Sequence, residues 1–146
     1  MTEWRCFSHG FVDYDAVAGG HDVNGETIYV GRIYIDGDHV PGKIVPSHGC
    51  IYVPYDGKEV PHTSYEYMIR PRYGNIEWVS SSNGHVPSGA VVAGETKNNE
   101  PLFVGRCYHN GSWIIGKVHP SHGCLYIPFG GDEISERNYE VLTVQY

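Results

Sequence analysis

The sequence predicts an all-β body made of two tandem copies of one unit, related by a pseudo-twofold axis. Three observations carry this prediction: a gapless internal repeat, strand-like runs that end in Asp-Gly or Asn-Gly, and no segment with a sustained 3.6-residue apolar period. Shifting the chain by 74 residues aligns Trp4 with Trp78 and runs without a gap to Glu66 and Glu140, with 27 of the 63 aligned positions identical. The densest match sets Gly42 to Pro54 against Gly116 to Pro128, including Pro46-Ser47-His48-Gly49-Cys50 and Pro120-Ser121-His122-Gly123-Cys124. The copies, residues 1–72 and 73–146, therefore share a backbone, joined by a short connection between Arg70 and Ile76.

The elements follow in order. Thr27 to Ile35 and its match Pro101 to His109 are rich in β-branched and aromatic residues and run into Asp36-Gly37 and Asn110-Gly111. Such dipeptides favour two-residue hairpin turns, because both positions accept positive φ. Cys50 to Pro54 with Cys124 to Pro128 form a second pair of strands, and Tyr65 to Arg70 with Tyr139 to Gln145 a third. Pro54 and Pro128 belong at strand ends or edges. Two small units that each lack a full core are expected to bury their faces against one another.

Composition narrows the function. At 146 residues the chain is long enough for one domain with a real core, and 19 glycines with 12 tyrosines suit short strands and tight turns. A formal charge of −7 argues against a nucleic-acid partner, which selects for clustered positive charge. No apolar run approaches the roughly 20 residues of a transmembrane helix. The N-terminal Met-Thr-Glu-Trp-Arg-Cys has no charged-then-apolar leader, so the expected address is cytoplasmic, with Cys6, Cys50, Cys107 and Cys124 as reduced thiols. Action outside the cell would then need release or unconventional export.

Trp4, Ala16-Val17, Gly19-Gly20, Tyr29-Val30-Gly31-Arg32, Gly42-Lys43, Pro46-Ser47-His48-Gly49-Cys50, Tyr52, Pro54, Gly57-Lys58-Glu59 and Tyr65-Glu66 form a pattern that resembles the DM9 repeat. The resemblance extends over nearly the whole chain, as two repeats, and leaves no residues for the pore-forming module that larger relatives carry. Two-repeat chains of this kind resemble the mannose-binding DM9 lectins of molluscs, which act in innate immune recognition. The resemblance implies a calcium-independent, non-catalytic carbohydrate-binding protein, a homodimer, with mannose-containing glycans on microbial surfaces as partners and no cofactor.

A hexose offers neutral hydroxyls, so its site needs an acceptor and a donor close together. A carboxylate receives hydroxyl protons while an ammonium donates, and such charge-assisted bonds are worth about 1.5–3 kcal/mol. Under the resemblance the first candidates are Asp22, after Ala18-Gly19-Gly20-His21, and Lys43, after Gly42. Read without it, both are solvated surface charges. Lys117 matches Lys43, but Thr96 stands where Asp22 does, with Glu95 beside it, so the second pocket is expected to borrow Glu95 or to be weaker. Glu26 and Glu100, with Asn24 and Asn98, are either ligands or turn-forming residues.

Other matched polar residues look structural. Arg32 and Arg106 sit mid-strand and need acidic partners, Glu59 or Glu66 and Glu133 or Glu140. Trp4, Trp78, Tyr52 and Tyr126 are expected in the core. Two other chemistries stay open. His48, Cys50, His122 and Cys124 would satisfy tetrahedral zinc if the copies met about an axis, although His-x-Cys is not a recognised zinc spacing. A hydrolase would need unlike acid and base roles, which the duplicated motif does not single out. A protein-interaction scaffold is a further alternative, since fold does not fix function.

Overall fold

The computed structural model describes residues 2–146. The first repeat supplies β1 (Glu3–Ser8), β2 (Ala18–His21), β3 (Thr27–Ile35), β4 (Asp38–Val45), β5 (Cys50–Tyr55), β6 (Lys58–His62) and β7 (Ser64–Ile69). The second supplies β8 (Asn75–Ser82), β9 (Val92–Glu95), β10 (Pro101–His109), β11 (Ser112–His119), β12 (Cys124–Phe129), β13 (Asp132–Glu136) and β14 (Asn138–Gln145). Two 3-10 turns, Pro46–His48 and Pro120–His122, are the only helical pieces among the described residues. No helix among them is long and apolar enough to cross a membrane.

Turn chemistry sets the hairpins. Asp36-Gly37 and Asn110-Gly111 have positive φ at both positions, as do Asp56-Gly57 and Gly130-Gly131. This is the backbone that matches the right-handed twist of paired strands. Thr27–Ile35 and Pro101–His109 are strands over the expected bounds, and Ile35 pairs with Asp38 directly across the first turn. Pro54 and Pro128 lie one residue from the ends of β5 and β12.

Eight of the strands close into a ring. From β3 the pairing runs to β4, β5 and β6, crosses to β13, continues through β12 and β11, then returns by β2 to β3. The crossing is short but reciprocal: Glu59 N–H donates to Gly131 O and Glu133 N–H to Gly57 O, both at 3.0 Å. β7 and β1 extend outward from β3, and β14 and β8 extend from β10. The repeats are thus hydrogen-bonded strand to strand, which goes beyond the packing of two separate faces.

The glycines before Asp22 serve this closure. Gly20 lies on β2, where an added Cβ would come 2.2 Å from the carbonyl oxygen of Trp113 on β11. Its match Gly94 stands equally close to His39 O, at 2.0 Å. Only glycine permits either approach.

The central core is shared. Val17, Ile28, Val30 and Met68 pack with Val91, Ala93, Val104, Ile115 and Leu142 from the other repeat. A satellite cluster lies under each repeat, and Leu102 of the second repeat joins that of the first. Arg32 pairs with Glu66 and Arg106 with Glu140, each at 2.9 Å, with Trp4 and Trp78 over the guanidinium carbons at 4.1 and 4.2 Å. Each arginine also donates across the seam, Arg32 to Ala93 O and Arg106 to Gly19 O. Half-buried arginines therefore stitch one repeat to the other, and the two tryptophans cover them while touching the core edge.

Candidate functional site

The β2–β3 turn, β4 and β5 converge on a cleft of about 310 Å³, within the lower range of small-ligand pockets, about 300–1,000 Å³. Asp22, Val23 and Asn24 form its lip, with Lys43, Val45, His48 and Tyr52 along the wall. Glu59 of β6 and, from the second repeat, Phe129 and Gly130 complete it. Asp22 and Lys43, the pair singled out in the sequence, therefore line one cavity.

Lys43 is not a solvated charge. It is only 5% exposed, because Gly42 lets β4 press against β5, where an added Cβ would meet Tyr52 O at 2.2 Å. Its ammonium lies 3.5 Å from Glu59 Oε2 and 5.6 Å from the ring centres of both Tyr52 and Phe129. Removed from water, the ammonium needs that carboxylate and gains from the aromatic faces. Glu59 Oε1 meanwhile accepts from Gly131 N–H at 2.9 Å, so one carboxylate holds both the lysine and the opposite hairpin tip. The sequence reading set Glu59 and Glu133 beside the arginines as alternatives. The structure gives them to the lysines instead, since β6 carries them to the seam.

The pseudo-twofold mate has the same frame. Lys117 is 6% exposed, 3.0 Å from Glu133 Oε2, with the ring centres of Tyr55 and Tyr126 at 5.5 and 5.4 Å. Glu133 Oε1 accepts from Gly57 N–H at 3.0 Å. Each lysine thus has one aromatic neighbour from its own repeat and one from the other.

Tyr52 and Tyr126, expected in the core, are half-buried; Tyr52 packs against the central core and also lines the cleft. Tyr52 lies 2.9 Å through its hydroxyl from His48 Nδ1, and Tyr126 the same distance from His122 Nδ1. Burial first, then the bond to the neighbouring cysteine, pushes both phenols up to about 12, so they remain donors at neutral pH. Burial likewise raises Cys50 and Cys124. The histidines of the duplicated motif therefore face tyrosines, and among the described residues no three His, Cys, Asp or Glu side chains gather as a metal-ligand cluster.

The remaining candidates divide by the bonds they make. Glu26 accepts from Ser47 N–H at 2.7 Å and from its hydroxyl, and Glu100 accepts from Ser121 in the same way. These carboxylates anchor the 3-10 turns. The Ser47 hydroxyl is the main cause that holds Glu26 below its ordinary value. For Glu100 burial pulls upward, and Ser121 with His119 outweighs it. Asn24 Oδ1 accepts from Glu26 N–H at 3.0 Å while the residue stands at the cleft lip. Thr96 Oγ1 accepts from the N–H groups of Asn98 and Glu100, at 3.3 and 3.2 Å, and Glu95 is exposed at the end of β9. Glu59, Tyr52, His48 and Phe129 were missed as site residues. Asp56-Gly57 ahead of Glu59 marks a hairpin tip that had gone unused. Nothing in the sequence signals that Phe129 reaches the Lys43 cleft, because the contact crosses repeats.

Comparison with known proteins agrees with this architecture. Natterin-3 of Thalassophryne nattereri is 37% identical over 96 residues, covering 65% of this chain and 24% of that protein. Natterin-4 of the same organism is 29% identical over 143 residues, 97% of this chain and 34% of its own length. The chain thus spans about a third or less of these relatives. The crystal structure of the nematode sperm cell motility protein MFP2B superposes with a TM-score of 0.76 over 99% of this chain and 47% of that one, at 17% identity, which shows a common fold. The DM9 repeat pattern matches residues 1–62 and 22–136, and this chain belongs to the DM9 repeat family.

Proposed function

We propose that this chain is a non-catalytic, metal-independent carbohydrate-binding protein that takes terminal mannose or mannose-rich glycans at the cleft around Lys43. One observation carries the reading: a buried ammonium held by a carboxylate between two aromatic rings, with a second carboxylate, Asp22, on the same cavity wall. Lys43 donates to sugar oxygens, Asp22 accepts from adjacent hydroxyls, and the rings of Tyr52 and Phe129 cover the C–H face. Fixed geometry lowers the ordering cost of binding. A single shallow site is weak, so the duplicated body, and further a homodimer, gains on a microbial surface through multivalency.

A glycan array with wild type, Lys43→Ala and Asp22→Ala, each with and without chelator, tests this. Mannose-terminated glycans are expected to retain wild type in chelator, and each variant to bind about 10-fold or more weakly, the loss of one charge-assisted bond. Binding abolished by chelator would make recognition metal-dependent. Release of free sugar from the array would make the protein an enzyme.

A further inference from the structure

The surroundings of Lys43 and Lys117 differ at the positions that decide the chemistry. Asp22 and Gly130 both line the first cleft. Their matches in the 74-residue repeat are Thr96 and Asp56, so around Lys117 the carboxylate belongs to the opposite hairpin. Thr96 cannot replace Asp22 as an acceptor, because its Oγ1 already receives two backbone N–H groups and has mainly its own proton left to offer. Glu95 does not substitute either: it matches His21, which is not among the residues that line the first cleft. Asp56 sits on the β5–β6 turn directly after Tyr55, whose ring centre is 5.5 Å from the Lys117 ammonium. The same turn is pinned to the second repeat through Gly57 N–H and Glu133.

We propose that the Lys117 cleft is a second hexose site in which Asp56, reaching across the seam from the first repeat, takes the acceptor role that Asp22 has in the first. This rests on the mannose reading of the Lys43 cleft. With the acceptor moved from the lip to the opposite hairpin tip, a hexose must lie differently against Lys117, so the two clefts rank hexose epimers in different orders.

Titration of isotope-labelled protein with methyl α-mannoside by NMR, followed by its epimers, separates the sites. Asp56→Gly is the informative variant: Asp56 has φ of +51°, a conformation glycine accepts, and its match Gly130 already holds φ of +62°. Wild type is expected to show two groups of shifting amides, around residues 22–24 and 43 and around residues 96–98 and 117. Asp56→Gly is expected to weaken the second group about 10-fold and leave the first unchanged, and Thr96→Asp in that background to restore it. One group that vanishes with Lys43→Ala, or a second group indifferent to Asp56→Gly, would overturn this proposal while leaving the mannose reading intact. No shift at either cleft in wild type would overturn both.

Discussion

The Lys43 ammonium rests 5.6 Å from the ring centre of Phe129, a residue of the other repeat. The cleft is therefore finished by a side chain that its own repeat does not encode, and binding should respond to the far repeat. Phe129→Ala is expected to weaken mannose binding at this cleft about 10-fold, whereas Phe129→Tyr keeps it, since Tyr55 fills the same role beside Lys117. Calorimetric titration of both variants, with thermal melts to confirm folding, checks this.

Lys43 and Glu59, 3.5 Å apart, should be coupled in stability. Lys43→Met leaves Glu59 without its nearest cation, and the loss is about 3 kcal/mol, the lower end for a broken buried pair, because Gly131 N–H still satisfies one oxygen. Glu59→Gln in the same chain should recover more than half of that loss. Urea melts of the two single variants and the double variant measure the coupling; additive losses would show that the pair does not interact.

Arg32→Lys should cost about 1–2 kcal/mol, although the charge is kept. Lysine cannot lie flat against Trp4 while bonding both Glu66 and Ala93 O, as the guanidinium does. Arg106→Lys should cost a similar amount, measured by the same denaturant melts, because Trp78, Glu140 and Gly19 O repeat the arrangement.

Acid should unfold the protein in two stages. His39 and His119 are held below the ordinary 6.5, each first by burial, then by Arg32 for His39 and by His122 and Lys117 for His119, against the opposing pull of Glu66 and Glu100. The unfolded chain takes up these protons first, so this part of the stability is whole above pH 6.5 and falls as pH drops through the lower folded values. Glu26 and Glu100, depressed from 4.5, add a second loss below that pH. Tm measured from pH 7.5 to 3.5 should show both steps. His119→Val, which installs the residue found at Val45, should shrink the first step and also trim the Glu100 share of the second, because His119 helps hold that carboxyl down, while the Glu26 share stays.

Much of the fold was legible because its signals are local. Asp36-Gly37 and Asn110-Gly111 fixed the first hairpins through the sign of φ, and the gapless shift required a common backbone for both halves. β2 and β9 were illegible as strands: four residues each, glycine-bearing, they pair with β3 and β10 of their own repeats and meet the other repeat at Trp113 and His39. The same division runs through the site. Asp22 and Lys43 could be paired as donor and acceptor only with the help of the DM9 resemblance, since alone each reads as a solvated charge. Glu59 stayed an alternative to Glu66 as the partner of Arg32, because nothing in the spacing shows that β6 carries it beside Lys43. Glu26 and Glu100 stayed open between ligand and turn-forming residue while the serines that bond them, 21 positions further on, were unplaced.

The reciprocal crossing of β6 and β13 has an evolutionary corollary. A half-length ancestor with one copy of the unit would have closed the ring only by meeting its twin, and the faces around Lys43 and Lys117 would then have been identical by descent. Tandem fusion lifts that identity. Mutations at position 22 or 56 can now accumulate on one end of the molecule without being copied to the other, so a single polypeptide carries two lysine-centred faces free to differ within one inherited shape.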